Sequence, residues 1–186
     1  MPLTPTPTGP VSVPMFRLAE MIADSAAFQT AAGLTPPDPD ARDKLILGIN
    51  GDKRIFLPSL RAEDGDYLSL VPRMPLAVVQ MGDAWQRPVI GGGANPLLSI
   101  QQGQLAVSYF ARDELPADRL ASFVTADNLF GAIDHEILQY VSPVTEDDLA
   151  MSGSEIFLLP IHSSEIEDAQ HAGAGYWRAI FTYSFN

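Results

Sequence analysis

The chain has 186 residues, enough for one domain with a substantial core, and 46% of them are apolar, which argues against disorder along most of its length. It contains no cysteine, which excludes disulfides, thiolate metal sites and cysteine nucleophiles. No run is long and apolar enough for a membrane span, and the first residues lack the basic start and apolar segment of a signal peptide. We therefore expect assembly in the cytoplasm.

The formal net charge of −12 is concentrated in one third of the chain. Residues 113–168 carry thirteen acidic residues and one basic residue, Arg119, whereas acids and bases balance at ten each elsewhere. A surface of this sign repels phosphate, so specific contacts with nucleic acid are not expected.

Proline dominates the first 14 residues, which contain five of them. This density favours an extended, polyproline-like conformation and disfavours a helix. The segment is either a frayed terminus or an extended arm that lies on a neighbouring subunit. As an arm it would use Pro7, Pro10, Val11 and Val13 as contacts. After this segment, residues 15–186 are predicted to form a single domain.

The spacing of apolar residues predicts a first helix over residues 15–32. Its apolar face would comprise Phe16, Ala19, Ile22, Ala26 and Phe28, with Gln29 on the polar side. Pro14 suits the entry of a helix, and Gly33 suits its end.

A hairpin is predicted next, because apolar runs at residues 44–49 and 54–57 flank the pair Asn50-Gly51, and both residues tolerate positive φ. Further along the chain, strands are predicted over residues 76–81, 104–110, 155–161 and 176–185. Pro160 indicates an edge or a strand end. Residues 163–175 read as a loop or short helix.

A long helical region is predicted over residues 116–140, either as one kinked helix or as two. Its apolar face would contain Leu120, Phe123, Phe130, Ile133 and Ile137. Helices packed on one face of a mainly antiparallel sheet would bury every apolar face, so the predicted fold class is α+β.

The candidate catalytic motifs do not form a coherent site. Asp134, His135 and Glu136 are consecutive, so on a helix they point about 100° apart and cannot converge on one ion. They are interpreted as a solvated helix face. The sequence has no nucleophile elbow and no phosphate-binding loop, and its acid clusters do not fit a calcium-binding template. No cofactor, metal or catalytic residue is therefore predicted.

The aromatic residues of the last strand allow two interpretations. Trp177, Phe181, Tyr183 and Phe185 alternate with polar residues, which suits a sheet face buried against helices or a platform for a sugar. Trp85 and Arg87 lie in a predicted loop, and this composition suits an interface anchor as well as a loop folded over the core.

Several segments together resemble the phage tail terminator, or tail completion, proteins. The opening helix FRLAEMIADSAAFQ (16–29) is similar to the first helix of that family. The strands PLAVVQ (75–80) and GQLAVSY (103–109), the helix segment DNLFGAIDHEI (127–137) and the final strand GYWRAIFTYSF (175–185) follow in the same order. The proline arm and a longer stretch at residues 50–73 depart from the family pattern.

The resemblance implies a small subunit of a hexameric ring in the virion. This ring stops polymerisation of the tail tube and joins the tail to the head-side connector of the neck, while DNA passes through it without specific binding. Such a ring closes through heterologous contacts between two different patches on each subunit. The family has no catalytic residues to transfer to this chain.

The segregated charge adds a hypothesis about the wall of the ring. The acids Glu146, Asp147, Asp148, Glu165, Glu167 and Asp168 would line the lumen and repel passing DNA.

Three other functions stay open at this stage. The chain could form another ring of the neck or tail, such as a head-closure or tail-tube protein. It could be a small-molecule or carbohydrate-binding module, or, third, an enzyme.

Overall fold

The computed structural model describes residues 7, 12–58, 67–86, 102–113, 115, 117–139, 159–171 and 174–185. Its helical elements are α1 (Ser12–Asp24), α2 (Ala26–Ala31), a π-helical turn (Asp43–Leu47), α3 (Tyr67–Leu70), a 3-10 turn (Val71–Arg73) and α4 (Arg119–Leu138). Its strands are β1 (Ile55–Phe56), β2 (Leu76–Gln86), β3 (Gln102–Arg112), β4 (Leu159–His171) and β5 (Ala174–Phe185).

The described strands form one five-stranded sheet in the order β1-β2-β3-β5-β4. The short strand β1 pairs with β2 in parallel, and the other neighbouring pairs are antiparallel. The predicted α+β class with a mainly antiparallel sheet is therefore confirmed. In this order β1 and β4 are the two edge strands, and Pro160 lies on an edge as the sequence indicated.

The main core lies between one face of the sheet and the helices α1, α2 and α4. Alternate residues of the central strands point into it, among them Val79, Val107, Tyr109, Ala179 and Tyr183, all of them buried. A smaller cluster on the other face packs α3 and the 3-10 turn against Leu76, Val78 and Phe110. The large helices thus share one face, and one short helical segment covers part of the other.

The first predicted helix is two helices with a break at Ser25. The Ser25 hydroxyl accepts a hydrogen bond from the Phe28 N–H (3.1 Å), so this residue caps α2. The buried face of α1 comprises Pro14, Met15, Leu18, Ala19, Ile22 and Ala23. Phe16 is half-buried and Ala26 exposed, so the predicted face was wrong at these two positions.

Gln29, which was predicted on the polar side, is buried. Its amide N–H donates to the Ala23 carbonyl, and its Oε1 accepts from the Asp38 N–H, both at 2.9 Å. The side chain therefore replaces water for two backbone groups where α2 leads into the following loop.

The predicted hairpin around Asn50 was wrong, because its first arm is a π-helical turn and only its second arm contains a strand. Gly48 ends the turn at φ 74°, a left-handed conformation that stops the backbone from extending directly. Leu45 and Ile46 are buried in the main core. Their apolar run fits a buried helical turn as well as a strand, and periodicity cannot separate the two over so few residues.

The strands predicted at 76–81, 104–110 and 176–185 lie where expected, whereas the strand predicted at 155–161 is described only at 159–161, where β4 begins. The strand at 76–81 continues to Gln86, so Trp85 lies in β2 rather than in a loop. Residues 163–171, predicted as loop or short helix, belong to β4, which pairs with β5 over residues 159–161 and 165–171 with a register shift between them. Pairing with a strongly patterned neighbour overrides the weak local preference of an acidic segment.

Helix α4 is one helix through Gly131, where an added Cβ atom would meet no atom within 4 Å. Phe130, Ile133 and Ile137 are buried as predicted, and Phe123 is half-buried. Leu120 is 73% exposed, so its placement in the core was wrong. It occupies the first turn of the helix, rotated away from the sheet by the helical period.

Replacing Phe130 with Ala should lower the free energy of unfolding by about 3–5 kcal/mol, because the ring is buried and stacks near Tyr109 with a centroid separation of 6.2 Å. Urea unfolding followed by circular dichroism measures the effect. Asn128→Ala on the exposed side of the same helix is the control and should stay within about 0.5 kcal/mol. Equal effects of the two variants would contradict the assigned core.

Candidate subunit interface

A buried hydrogen bond ties the middle of α4 to the last strand. The Tyr183 hydroxyl donates to Asp134 Oδ1 at 2.8 Å, and both side chains are buried. The Tyr109 hydroxyl lies beside that of Tyr183, without a hydrogen bond of good geometry. A buried carboxyl group needs such a donor, since an unpaired one would be costly to desolvate.

Burial raises the pKa of both tyrosines far above the ordinary value of about 10. For Tyr183 the nearby Asp134 carboxyl adds to the shift, because a second negative charge at this position would be repelled. Neither hydroxyl is therefore suited to lose its proton in a reaction at neutral pH. The pair serves to position α4 on the sheet.

Near its beginning, α4 is attached through Ser122. The indole N–H of Trp177 donates to Ser122 Oγ at 2.9 Å, and the Ser122 hydroxyl donates to Asp113 Oδ1. The Phe123 ring meets Trp177 edge to face, and the Arg119 guanidinium lies 5.7 Å from the centre of the Trp177 ring. Trp177 and Tyr183 are thus part of the core and Phe181 packs against it, as the buried-face interpretation predicted, whereas the side chain of Phe185 lies outside the described part of the structure.

A third polar contact joins α4 to the start of α2. The Ser25 hydroxyl and the Ala27 N–H both donate to Glu136 Oε2, at 2.6 and 3.2 Å. A carboxylate at a helix N-terminus satisfies N–H groups that have no partner within the helix. The solvated face expected for residues 134–136 is therefore wrong for Asp134 and Glu136, and correct for His135, which is exposed. The three side chains do not converge.

The outward side of α4 exposes three large aliphatic side chains. Leu120, Val124 and Leu138 are 73%, 44% and 39% exposed, and Gly131 lies between them on the same side. Residues 120, 124, 131 and 138 recur at helical spacing, so they lie along one line of the helix, which we call the outer stripe. The exposed polar residues Asp127, Asn128 and His135 lie beside it, so the outer side of α4 carries aliphatic side chains among polar ones.

None of the predicted contact residues belongs to this stripe. Val13 lies half-buried in the first turn of α1, which begins at Ser12, so it belongs to a helix and not to an extended arm. Pro7 is half-buried, and Trp85 lies in β2. Pro10, Val11 and Arg87 lie outside the described residues.

The two edges of the sheet differ in charge. Of the six acids predicted for the lumen, Glu165, Glu167 and Asp168 lie within four residues of each other on the edge strand β4. Glu146, Asp147 and Asp148 are outside the described residues. Strand β4 itself contains no lysine or arginine, and the next strand contributes Arg178, which pairs with Glu167 in register.

The opposite edge carries a basic cluster of Lys53, Arg54 and Arg73. The Arg54 guanidinium donates to the Arg73 carbonyl, and the Arg73 guanidinium donates to the Lys53 carbonyl at 2.9 Å. Half-burial lowers the pKa of Arg54, and the charge of Arg73 adds to this effect. Among the described residues the cluster meets one carboxylate within 4 Å, that of Asp52 at 3.8 Å from Arg73.

Sequence reasoning missed this basic cluster and the outer stripe. Arg73 is about 20 residues from Lys53 and Arg54, and the parallel pairing of β1 with β2 brings them together. Leu120 and Val124 carry the signal of an apolar helix, but their spacing does not distinguish a buried side from an exposed one.

Searches of the described residues find no group of three or more His, Asp or Glu side chains placed to hold a metal ion. In the same part of the chain, the helices are all too short or too polar to cross a membrane. Comparisons with models of protein families and with curated proteins find no match to this chain.

The raised pKa values predict a loss of stability at alkaline pH. Since the folded-state pKa of Tyr109 and of Tyr183 lies above the unfolded value, folding is fully stabilised below pH 10 and weakens above it. Each tyrosine should contribute up to about 1.4 kcal/mol per pH unit to this loss. The double variant Y109F/Y183F should therefore lose less unfolding free energy between pH 9 and about pH 11 than the wild type, as measured in urea. Equal losses in the two proteins would contradict the assignment.

Proposed function

We propose that this chain is the subunit of a homo-oligomeric ring, with six copies expected, at the head-proximal end of a phage tail. There it acts as the tail terminator, ending polymerisation of the tube and joining the tail to the neck. The protein would then reside in the virion. The proposal combines the sequence resemblance with one structural observation, the apolar outer stripe of α4.

The outer stripe supports an assembly because exposed aliphatic side chains gain free energy when another protein covers them. Full burial of a leucine or valine side chain contributes about 1.5–3 kcal/mol relative to its exposed state. The stripe presents Leu120, Val124 and Leu138 along five turns of one helix. Several large aliphatic side chains exposed along one side of a helix suit a contact with another protein.

Gly131 in the centre of the stripe supports the same proposal. A glycine inside an exposed helix costs about 1 kcal/mol relative to alanine, and none of the described residues comes close enough to this position to require it. The missing side chain leaves a flat place where a second protein can approach the backbone of α4.

The anchoring of α4 gives this surface a defined shape. Hydrogen bonds from Tyr183 to Asp134 and from Trp177 to Ser122 hold the inner side of the helix at two levels. The contact with Glu136 holds a third point near its end. A contact surface supported in this way needs little rearrangement on assembly, which lowers the entropic cost of binding.

The size of the particle tests the proposal. Light scattering coupled to gel filtration should give a discrete oligomer of about six chains at physiological salt, and negative-stain electron microscopy should show rings. Labelled protein should bind the head-proximal end of isolated tails. A monomer at all concentrations that does not bind tails would overturn the proposal, and discrete rings that bind along the tube or to the head would favour another neck or tail protein.

Substituting Ser at Leu120 and Val124 should shift the oligomer towards monomer by tenfold or more in dissociation constant, because most of the apolar contact at one end of the stripe is lost. Sedimentation velocity over a concentration series measures the shift. Thr30→Ser, exposed on α2 and away from the outer stripe, is the control. Unchanged assembly of the double variant would exclude the stripe as a contact surface.

A further inference from the structure

The two edges of the sheet are oppositely charged, and a different helix packs near each edge. Helix α1 packs over β1 and β2, whereas α4 packs over β3 and β5, next to the β4 edge. One side of the subunit therefore combines α4 with the acidic edge strand β4. The other side combines α1 and the π-helical turn with the basic cluster of Lys53, Arg54 and Arg73.

We infer that these two sides meet in the assembly, so that the acidic β4 edge of one copy lies against the basic cluster of the next. The inference rests on the proposed ring and specifies how it closes. A head-to-tail contact requires two different, complementary patches on each chain, and the sheet supplies them at its two ends.

The charges at the two edges of the sheet are opposite in sign. Strand β4 contributes Glu165, Glu167 and Asp168, with Arg178 on the neighbouring strand. The basic cluster contributes three cations, with Asp52 as its carboxylate neighbour. Two copies brought together in this orientation attract, whereas two identical edges repel, so the charges also select head-to-tail over head-to-head contact.

The backbone at these edges is consistent with a contact through side chains. At the basic edge, the N–H of Arg54 donates to the Leu45 carbonyl at 2.8 Å, and β1 has only two residues, so this edge has little room for another strand. At the other edge, three acids on one strand oppose pairing with an identical strand. Both features disfavour the addition of further strands to the sheet, and neither prevents a contact between opposite charges.

This assignment gives Glu165, Glu167 and Asp168 a role in subunit contact in place of lining the lumen. The two roles predict different behaviour in salt. A contact between opposite charges weakens as salt rises, because the Debye length falls from about 10 Å at 0.1 M to about 3 Å at 1 M. Acids that only line a lumen would leave assembly unaffected or strengthen it at high salt.

Paired charge reversals provide the decisive experiment. One variant carries E165K, E167K and D168K, so that both sides are basic, and the other carries K53E and R73E, so that both sides are acidic. Arg54 is retained because its guanidinium holds the Arg73 carbonyl. Circular dichroism and thermal unfolding establish that both variants fold, and K53Q/R73Q replaces the acidic variant if it does not.

Each variant alone should be monomeric under conditions where the wild type forms rings. An equimolar mixture should restore the ring mass, because copies of the two variants can alternate, and native mass spectrometry should show equal numbers of each in a six-membered ring. The control Thr30→Lys, at an exposed position of α2, changes the net charge away from both edges and should assemble normally.

The outcomes separate the two proposals. A wild type that never forms rings overturns the proposed function and the edge contact together. Wild-type rings with reversed variants that still assemble overturn the edge contact alone. Variants that stay monomeric when mixed also overturn it, since complementary edges must then fail to recognise each other.

Discussion

The structure depends on the attachment of one helix to the sheet. Helix α4 covers β3 and β5, and its contacts combine apolar burial with a hydrogen bond from Tyr183 to Asp134 inside the core. This buried polar pair fixes the orientation of α4 as well as stabilising the fold, because the carboxyl group of Asp134 finds its donor in only one rotation and position of the helix. The direction in which the outer side of α4 points follows from that constraint.

The same attachment connects the core to the proposed function. If α4 were rotated by half a turn, Leu120 and Val124 would enter the core, and Phe130, Ile133 and Ile137 would be exposed to solvent. The hydrogen bonds of Ser122 and Glu136 oppose such a rotation from both ends. The chain therefore keeps apolar groups in water at a free-energy cost that a neighbouring subunit would remove.

Charge has two separate roles in this molecule. Inside the subunit, ion pairs such as Arg42 with Asp24 and Lys44 with Asp38 tie exposed loops to helices, and partly exposed pairs of this kind stabilise a fold only modestly. At the edges of the sheet the charges are segregated by sign. Segregation adds little to the stability of a single chain, but it determines which surfaces of two chains attract.

The sequence by itself determined the α+β class, the central strands and the aromatic face of β5, because period-two and period-3.6 patterns over ten or more residues leave little choice of buried face. It also indicated the long helix of α4. It did not determine the break at Ser25 or the π-helical turn at 43–47, where a single cap or a left-handed glycine decides the local path. The tertiary structure alone decided that Asp134 is buried, that Leu120 is exposed and that Arg73 joins Lys53. Each of these depends on which distant segments pack together, and contacts between residues far apart in the chain leave no local pattern to read.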